Sequence, residues 1–295
     1  MGKDGQLTPE QLHEAALQLE KGVPTAARLA GMVPQIYAQL LWDRQDPGLH
    51  SFWGLAANED ELAGKEIVAP AILSVLAEIA DVPLDQVGVP AGLQHTYGYL
   101  LSSLLTEYGY KRNRWFLDSI DDLFGFPHAV VCAEPEHGTL LGNVTSLLLR
   151  IILRDEPELS HEVLQIRTTA DPLIQRISIQ NMHLTRIVES ARVRDKHGRF
   201  CQLRCITDLV PFPAGGAWLI YAIQQPATDQ LPKLITAFPV SQSTYDTMRT
   251  GPEILDPAMV KPRYNAVFPG SQEWPVFGSR IRIESTPGKP TPAPN

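Results

Sequence analysis

Cysteine is scarce in this chain. Its 295 residues include three, Cys132, Cys201 and Cys205. An odd, low count excludes a disulfide framework. Cys201 and Cys205 fall on one expected strand, on the same face but roughly 13 Å apart at strand rise, too far for a bridge. Long apolar runs are also missing. The longest, around LLLRIIL, is broken by Arg150, so no membrane span is expected. The opening MGKDGQLTPEQLHEAA lacks the apolar core of a signal peptide. The expectation is a reduced, cytoplasmic protein away from membrane, with export by a signal-free route left open.

Positive charge is short as well: 25 Lys and Arg against 33 Asp and Glu leave a net charge of −8. The bulk field therefore does not draw the chain to nucleic acid, and any such contact needs a local basic patch. Walker loop, dinucleotide fingerprint, HExxH and nucleophile elbow are all absent, and no cofactor is expected. Hydrophobic residues at 44% and charged residues at 20% describe a folded chain with a sizeable core.

The pattern changes near Phe126-Pro127. Upstream it is helical. Thr8-Pro9-Glu10-Gln11 carries the residues of a capping box with proline at N1, and Leu12, Ala15, Ala16 and Leu19 repeat at helical spacing until Gly22. A short helix from Pro24 to Ala30 and a third after Pro34 complete a unit whose spacing resembles a helix-turn-helix over about forty residues. Its third helix, PQIYAQLLWDR, offers Gln35 and Gln39 but a single cation, Arg44, so a helical hairpin packed on the core is the simpler reading. Asn58-Glu59-Asp60-Glu61 reads as a helix start leading into the buried IVAPAILSVLAEIA, and a further helix is expected from Thr96 to Thr106.

Downstream, β-branched residues take over. His128–Ala133, Val163–Thr169 and Ile177–Ile179 read as strands, while 138–153 fits a strand or a helix. His183–Arg194 and Arg199–Val210 flank Asp195-Lys196-His197-Gly198 as a hairpin; pairing residues 194 and 199 would set Glu189 opposite Arg204. Ala217–Ile223 is apolar on both faces, as a central strand is, and Leu234–Val240 carries Pro239, allowed only at an edge or strand end. A helix over Ser241–Met248 and late strands in KPRYNAVF and SRIRIES follow. The expected fold is α+β: a mostly helical region, 1–126, packed with an antiparallel β-rich domain, 127–285, and an extended Pro-rich tail, 286–295.

Three groups of residues could carry chemistry. Tyr108–Trp115 mixes Lys111, Arg112 and Arg114 with aromatics, the combination that binds phosphate and stacks bases; it also fits a helix end whose aromatics dock on the core. Cys132, Glu134 and His137, with His128 nearby, provide metal-ligand types at irregular spacing, too incomplete for a metal to be expected. The third group is Trp218–Ile223 with Leu234-Ile235-Thr236-Ala237-Phe238-Pro239. This hairpin resembles the last hairpin of barnase/EndoU/RelE-like ribonuclease domains and RNase A-like bacterial toxin domains, over about twenty of the 295 residues. The resemblance implies that Thr236 contacts a scissile phosphate in a metal-independent, toxin- or effector-like ribonuclease. Such a reaction needs a general base, a general acid and cations, and the candidates are His137 and His183 with Arg186 and Arg204. RNA is then the expected partner. The alternatives are a non-catalytic binding or regulatory protein with a protein or DNA partner, and a small-molecule enzyme with a pocket between the halves.

Overall fold

The computed structural model describes residues 7–60, 63–85, 88–106, 109–115, 138–154, 183–194, 197–212, 215–227, 231–251, 263–267 and 276–285. The first helix, α1 (Pro9–Lys21), begins with the capping box: Gln11 N donates to Thr8 Oγ1, and Thr8 N donates to Gln11 Oε1. Leu12, Ala15, Ala16 and Leu19 form its buried stripe. Thr25 caps α2 (Ala26–Met32), and Arg28 donates to the Val23 and Gln18 carbonyls, satisfying acceptors that the end of α1 leaves open. Pro34 starts α3 (Pro34–Asp43), and α4 (Pro70–Ala80) presents apolar residues nearly all round.

Two expectations in this region are corrected. Asn58 does not start a helix. Its side chain exchanges hydrogen bonds with both backbone groups of Val68, closing a small hairpin of β2 (Glu59–Asp60) on β3 (Lys65–Glu66). The side chain of an Asx residue competes for backbone partners in this way. The following helix begins not at Thr96 but at Ala91, behind Pro90. We call it α5: it opens at Ala91–Leu93, widens into a π turn over Gln94–Gly98 and regains α-helical form at Tyr99 and Leu100. Here Gly92 is a packing requirement, since a Cβ would sit 2.8 Å from the Trp53 ring.

The ambiguous run 138–153 is helix α6 (Leu140–Ile152), capped by Thr139. A polar knot fixes its start. Thr139 and Tyr97 both donate to buried Asp43, and Gln39 Oε1 accepts from Leu140 N. Burial, and then the charge of Asp43, push the Tyr97 pKa well up, so its phenol keeps the proton it donates.

The C-terminal half is a five-stranded antiparallel sheet in the order β10-β9-β8-β7-β12: β7 (Leu184–Arg194), β8 (Phe200–Pro211), β9 (Ala217–Gln224), β10 (Lys233–Val240) and β12 (Val276–Ser285). Short strands β1 (Leu55–Ala56), β4 (Val89–Pro90) and β11 (Ala266–Val267) form a separate small sheet, and β5 (Leu105–Thr106) pairs with β6 (Gly109–Tyr110). Alternation sends Ile206, Val210, Trp218, Ile220 and Ala222 into one core with the helices, so the two halves share it. Cys205, Leu209, Leu219 and Tyr221 face a second cluster that takes in Tyr245 of α7 (Gln242–Thr250), capped by Ser241. Between β8 and β9, Gly216 has φ +89°, and a Cβ there would meet the Val240 carbonyl at 2.5 Å. Only glycine suits that turn.

The β7–β8 register differs from expectation by one residue. Arg194 pairs with Phe200, so the loop is longer than the expected four residues, and Glu189 lies opposite Cys205 rather than Arg204. A one-residue shift moves each cross-strand partner to the other face. Glu189 instead meets Arg280 of β12 at 3.7 Å. The strands expected at 128–133, 163–169 and 177–179, and the tail from 286, lie outside the described residues.

Arg186, a candidate phosphate clamp, is 4% exposed on the helix-facing side of the sheet. It grips Asp208, its register partner, through Nε and Nη2 at 2.7 Å each, and donates to the Ile151 and Ile152 carbonyls at the end of α6. It joins helix to sheet and neutralises a buried carboxylate. Arg186→Met is expected to destabilise the fold by about 3–5 kcal/mol by stranding Asp208, and adding Asp208→Leu should recover most of that, as read by urea denaturation.

Candidate functional site

The basic and aromatic patch forms a 3-10 helix, Lys111–Trp115, directly after β6. Its three cations go to three different places. Lys111 Nζ pairs with Asp60 at 2.6 Å. Arg112 is 1% exposed and faces inward, donating to the Ser102 carbonyl and to His13 Nδ1, each at 2.7 Å, with its guanidinium over Tyr110. These two are occupied with holding the N-terminal half together. Trp115 is buried, donating to the His95 carbonyl at 2.7 Å and leaning on Trp218.

Arg114 is different. Its guanidinium lies 4.6 Å from the Tyr99 ring centroid and 5.5 Å from that of Phe238, and Nη1 donates to Thr236 Oγ1 at 3.2 Å. No carboxylate of the described residues lies within ion-pair range of it. Burial lowers its pKa, a shift opposed by the electron-rich Tyr99 beside it. Even so, a guanidinium stays charged. Two segments that stood out separately in the sequence, 111–115 and 234–240, thus form one centre.

The strand explains how Thr236 comes to lie beside Arg114. In β10, Leu234 pairs with Ala222 and Thr236 with Tyr221, leaving Ile235 as the extra residue of a bulge. A bulge interrupts the ladder and re-aims neighbouring groups. The freed Ile235 carbonyl bonds His95 Nδ1 at 2.6 Å, and Leu234 O accepts from Gly54 N. A carbonyl can only accept, so Nδ1 carries the hydrogen and Nε2 is the bare nitrogen of His95. Burial, reinforced by the positive Arg114, lowers the His95 pKa to about 3. The His95 imidazole, bonded to the residue before Thr236, is thus neutral at physiological pH. Burial also raises the Tyr99 pKa against the opposing pull of Arg114, so that group is a neutral phenol.

The other expected site residues lie elsewhere. His183 is exposed at the head of β7. That strand is three places from β10, and Thr236 lies level with Ile187 across the sheet. The offset is roughly 14 Å across the strands and 13 Å along them. Arg204 lies near the far end of β8, bonded to Gln224 at 3.3 Å. Arg186 is committed to Asp208, as above. His137, with the Cys132-Glu134-His137 group and His128, lies outside the described residues; among the described residues no cluster of His, Cys, Asp or Glu is arranged to hold a metal ion. The sequence reading missed His95 and Tyr99, which sit in the apolar stretch LQHTYGYL and carry no spacing signal. Only the bulge 140 residues later brings His95 into use.

Chemically, this arrangement has the groups that an oxyanion site needs. A cation set against two aromatic rings, with a hydroxyl beside it and no carboxylate of the described residues in range, suits phosphate or carboxylate. As a proton carrier, His95 is weak. Because its folded pKa lies below the ordinary value of about 6.5, the unfolded chain takes up the proton first, and stability falls as pH drops from about 6.5 toward 3. This one group should cost about 2–3 kcal/mol between about pH 7.5 and pH 4.5. His95→Gln, which retains a donor for Ile235, should remove that share of the acid sensitivity in urea melts at the two pH values. Comparisons with protein-family models, curated proteins and solved structures find no match.

Proposed function

We propose that Arg114 and Thr236 hold a phosphate group, and that the protein acts on RNA as a metal-independent, ribonuclease-like phosphodiesterase. One observation carries this reading: Arg114 is a partly buried guanidinium without a carboxylate among the described residues, and it bonds the threonine that the hairpin resemblance puts against a scissile phosphate. In this scheme Arg114 and Thr236 Oγ1 bind the non-bridging oxygens, and Arg114 offsets charge that builds up on the phosphorane. Phe238 and Tyr99 keep the guanidinium in place. A bound phosphate would also oppose the field of Arg114 at His95 and raise its pKa from about 3. His183 is too far from this centre to share in proton transfer there.

The depressed His95 pKa favours a second reading, a non-catalytic protein that binds a phosphate-bearing ligand at the same centre. Its N-terminal helices do not supply that contact through Gln39, whose side chain is spent inside the fold.

The two readings part on one assay. The full chain, incubated with bulk RNA in EDTA, is expected to cut it, and Arg114→Gln or Thr236→Ala should lower the rate by about tenfold or more, as loss of one such donor does elsewhere. RNA left intact at high protein concentration ends the phosphodiesterase reading. Binding of labelled RNA that is unchanged by Arg114→Gln would end the second as well.

A further inference from the structure

A second surface carries its own argument, at the end of the sheet away from the helices. With Arg194 opposite Phe200, Arg192 opposite Gln202, and Arg204 opposite Gln224, these six residues occupy one face of β7, β8 and β9. Toward the other end of β8 the same face is covered by the helical core at Ile206 and Val210. Toward the loop it is open: Arg192, Arg194 and Gln202 are exposed, and Phe200 is 59% exposed. An exposed phenylalanine is costly to hydrate, and this one has cations against it, with the Arg194 guanidinium 4.6 Å and that of Arg192 5.7 Å from its ring centroid. The one described carboxylate at a register position on this face, Asp208, is buried at the other end and paired with Arg186, and Glu189 points to the opposite face. Three arginines thus gather on one strip of a chain whose net charge is −8.

We propose that this strip binds single-stranded nucleic acid. Arg192 and Arg194 are two residues apart, roughly 7 Å along an extended strand, and present successive cations to a phosphate backbone. Phe200 offers a face on which a base stacks, and Gln202 has both a donor and an acceptor for a base edge. An acidic peptide would use the arginines but would leave the aromatic ring without a planar partner. The strip is separate from the Arg114–Thr236 centre. Phe200 lies seven residues along β8 from Thr207, which is level with Thr236, and on the other face of the sheet. The proposal therefore does not rest on the reading given above.

The test is titration of a fluorescein-labelled twelve-nucleotide oligouridylate with the full chain over a range of salt, followed by anisotropy. Affinity is expected to fall as salt rises, and Arg192→Gln and Arg194→Gln should each flatten the log–log slope by about 0.7. Phe200→Ala should weaken binding about tenfold with the slope unchanged. Repeated in an Arg114→Gln background, where the first centre is disabled, the strip variants should show the same losses, which distinguishes failure here from failure of the first centre. All three strip residues are exposed, so the variants should keep the parental melting temperature, checked alongside. No binding of the oligonucleotide overturns the proposal, as does binding that ignores all three substitutions. If polyglutamate competes as well as unlabelled oligouridylate, and Phe200→Ala changes nothing, the surface is one for acidic peptides and the proposal fails.

Discussion

The structure depends on how the helical half closes the open edge of β10. An edge strand presents unpaired carbonyl and amide groups that would otherwise recruit another strand. Here Leu234 O accepts from Gly54 N, Ile235 O bonds His95, and Lys233 donates to the Ser51 carbonyl. The bulge at Ile235 makes this closure workable, because it turns a carbonyl out of the ladder toward a buried imidazole. The same displacement brings Thr236 to Arg114. Edge protection and the candidate site are therefore products of one irregularity. They also depend on His95 remaining neutral, since a protonated imidazole beside Arg114 would repel it.

Buried cations divide the remaining work. Arg112 joins the Lys111–Trp115 turn to α1 through His13 and the Pro9 carbonyl, and Arg186 joins the sheet to α6. Each buried guanidinium loses hydration and recovers hydrogen bonds from carbonyls or a carboxylate. Among the described residues Arg114 recovers less, with two aromatic rings and one hydroxyl beside it. That asymmetry separates a structural arginine from one with capacity left for a ligand. It cannot be seen in the string KRNRW, where the cations look alike.

Much of the local structure was legible. Thr8 and Gln11 identify the start of α1, the run IVAPAILSVLAEIA a buried helix, and the alternation of 200–210 one covered and one mixed face of β8. These features depend on neighbours within four residues or on a period of two, so the chain carries them openly. Other features failed for identifiable reasons. Asn58 has the chemistry of a helix cap, yet it spends its side chain on Val68. The β7–β8 register depends on loop geometry, and a single residue is enough to move Glu189 away from Arg204. The run 138–153 has no distinguishing period, and its helix is fixed by Asp43 and Gln39 from another element.

The sequence by itself determined the class, a helical first half and an antiparallel second half, because period and capping are local properties of the chain. It also marked 108–115 and 234–240 as unusual segments. Tertiary structure decided that these two meet, that Arg114 rather than Lys111 or Arg112 faces Thr236, and that His95 rather than His183 attends the bulge. The physical reason is range. A side chain's charge state and availability follow from what surrounds it, and at this centre the surroundings come from segments more than a hundred residues apart.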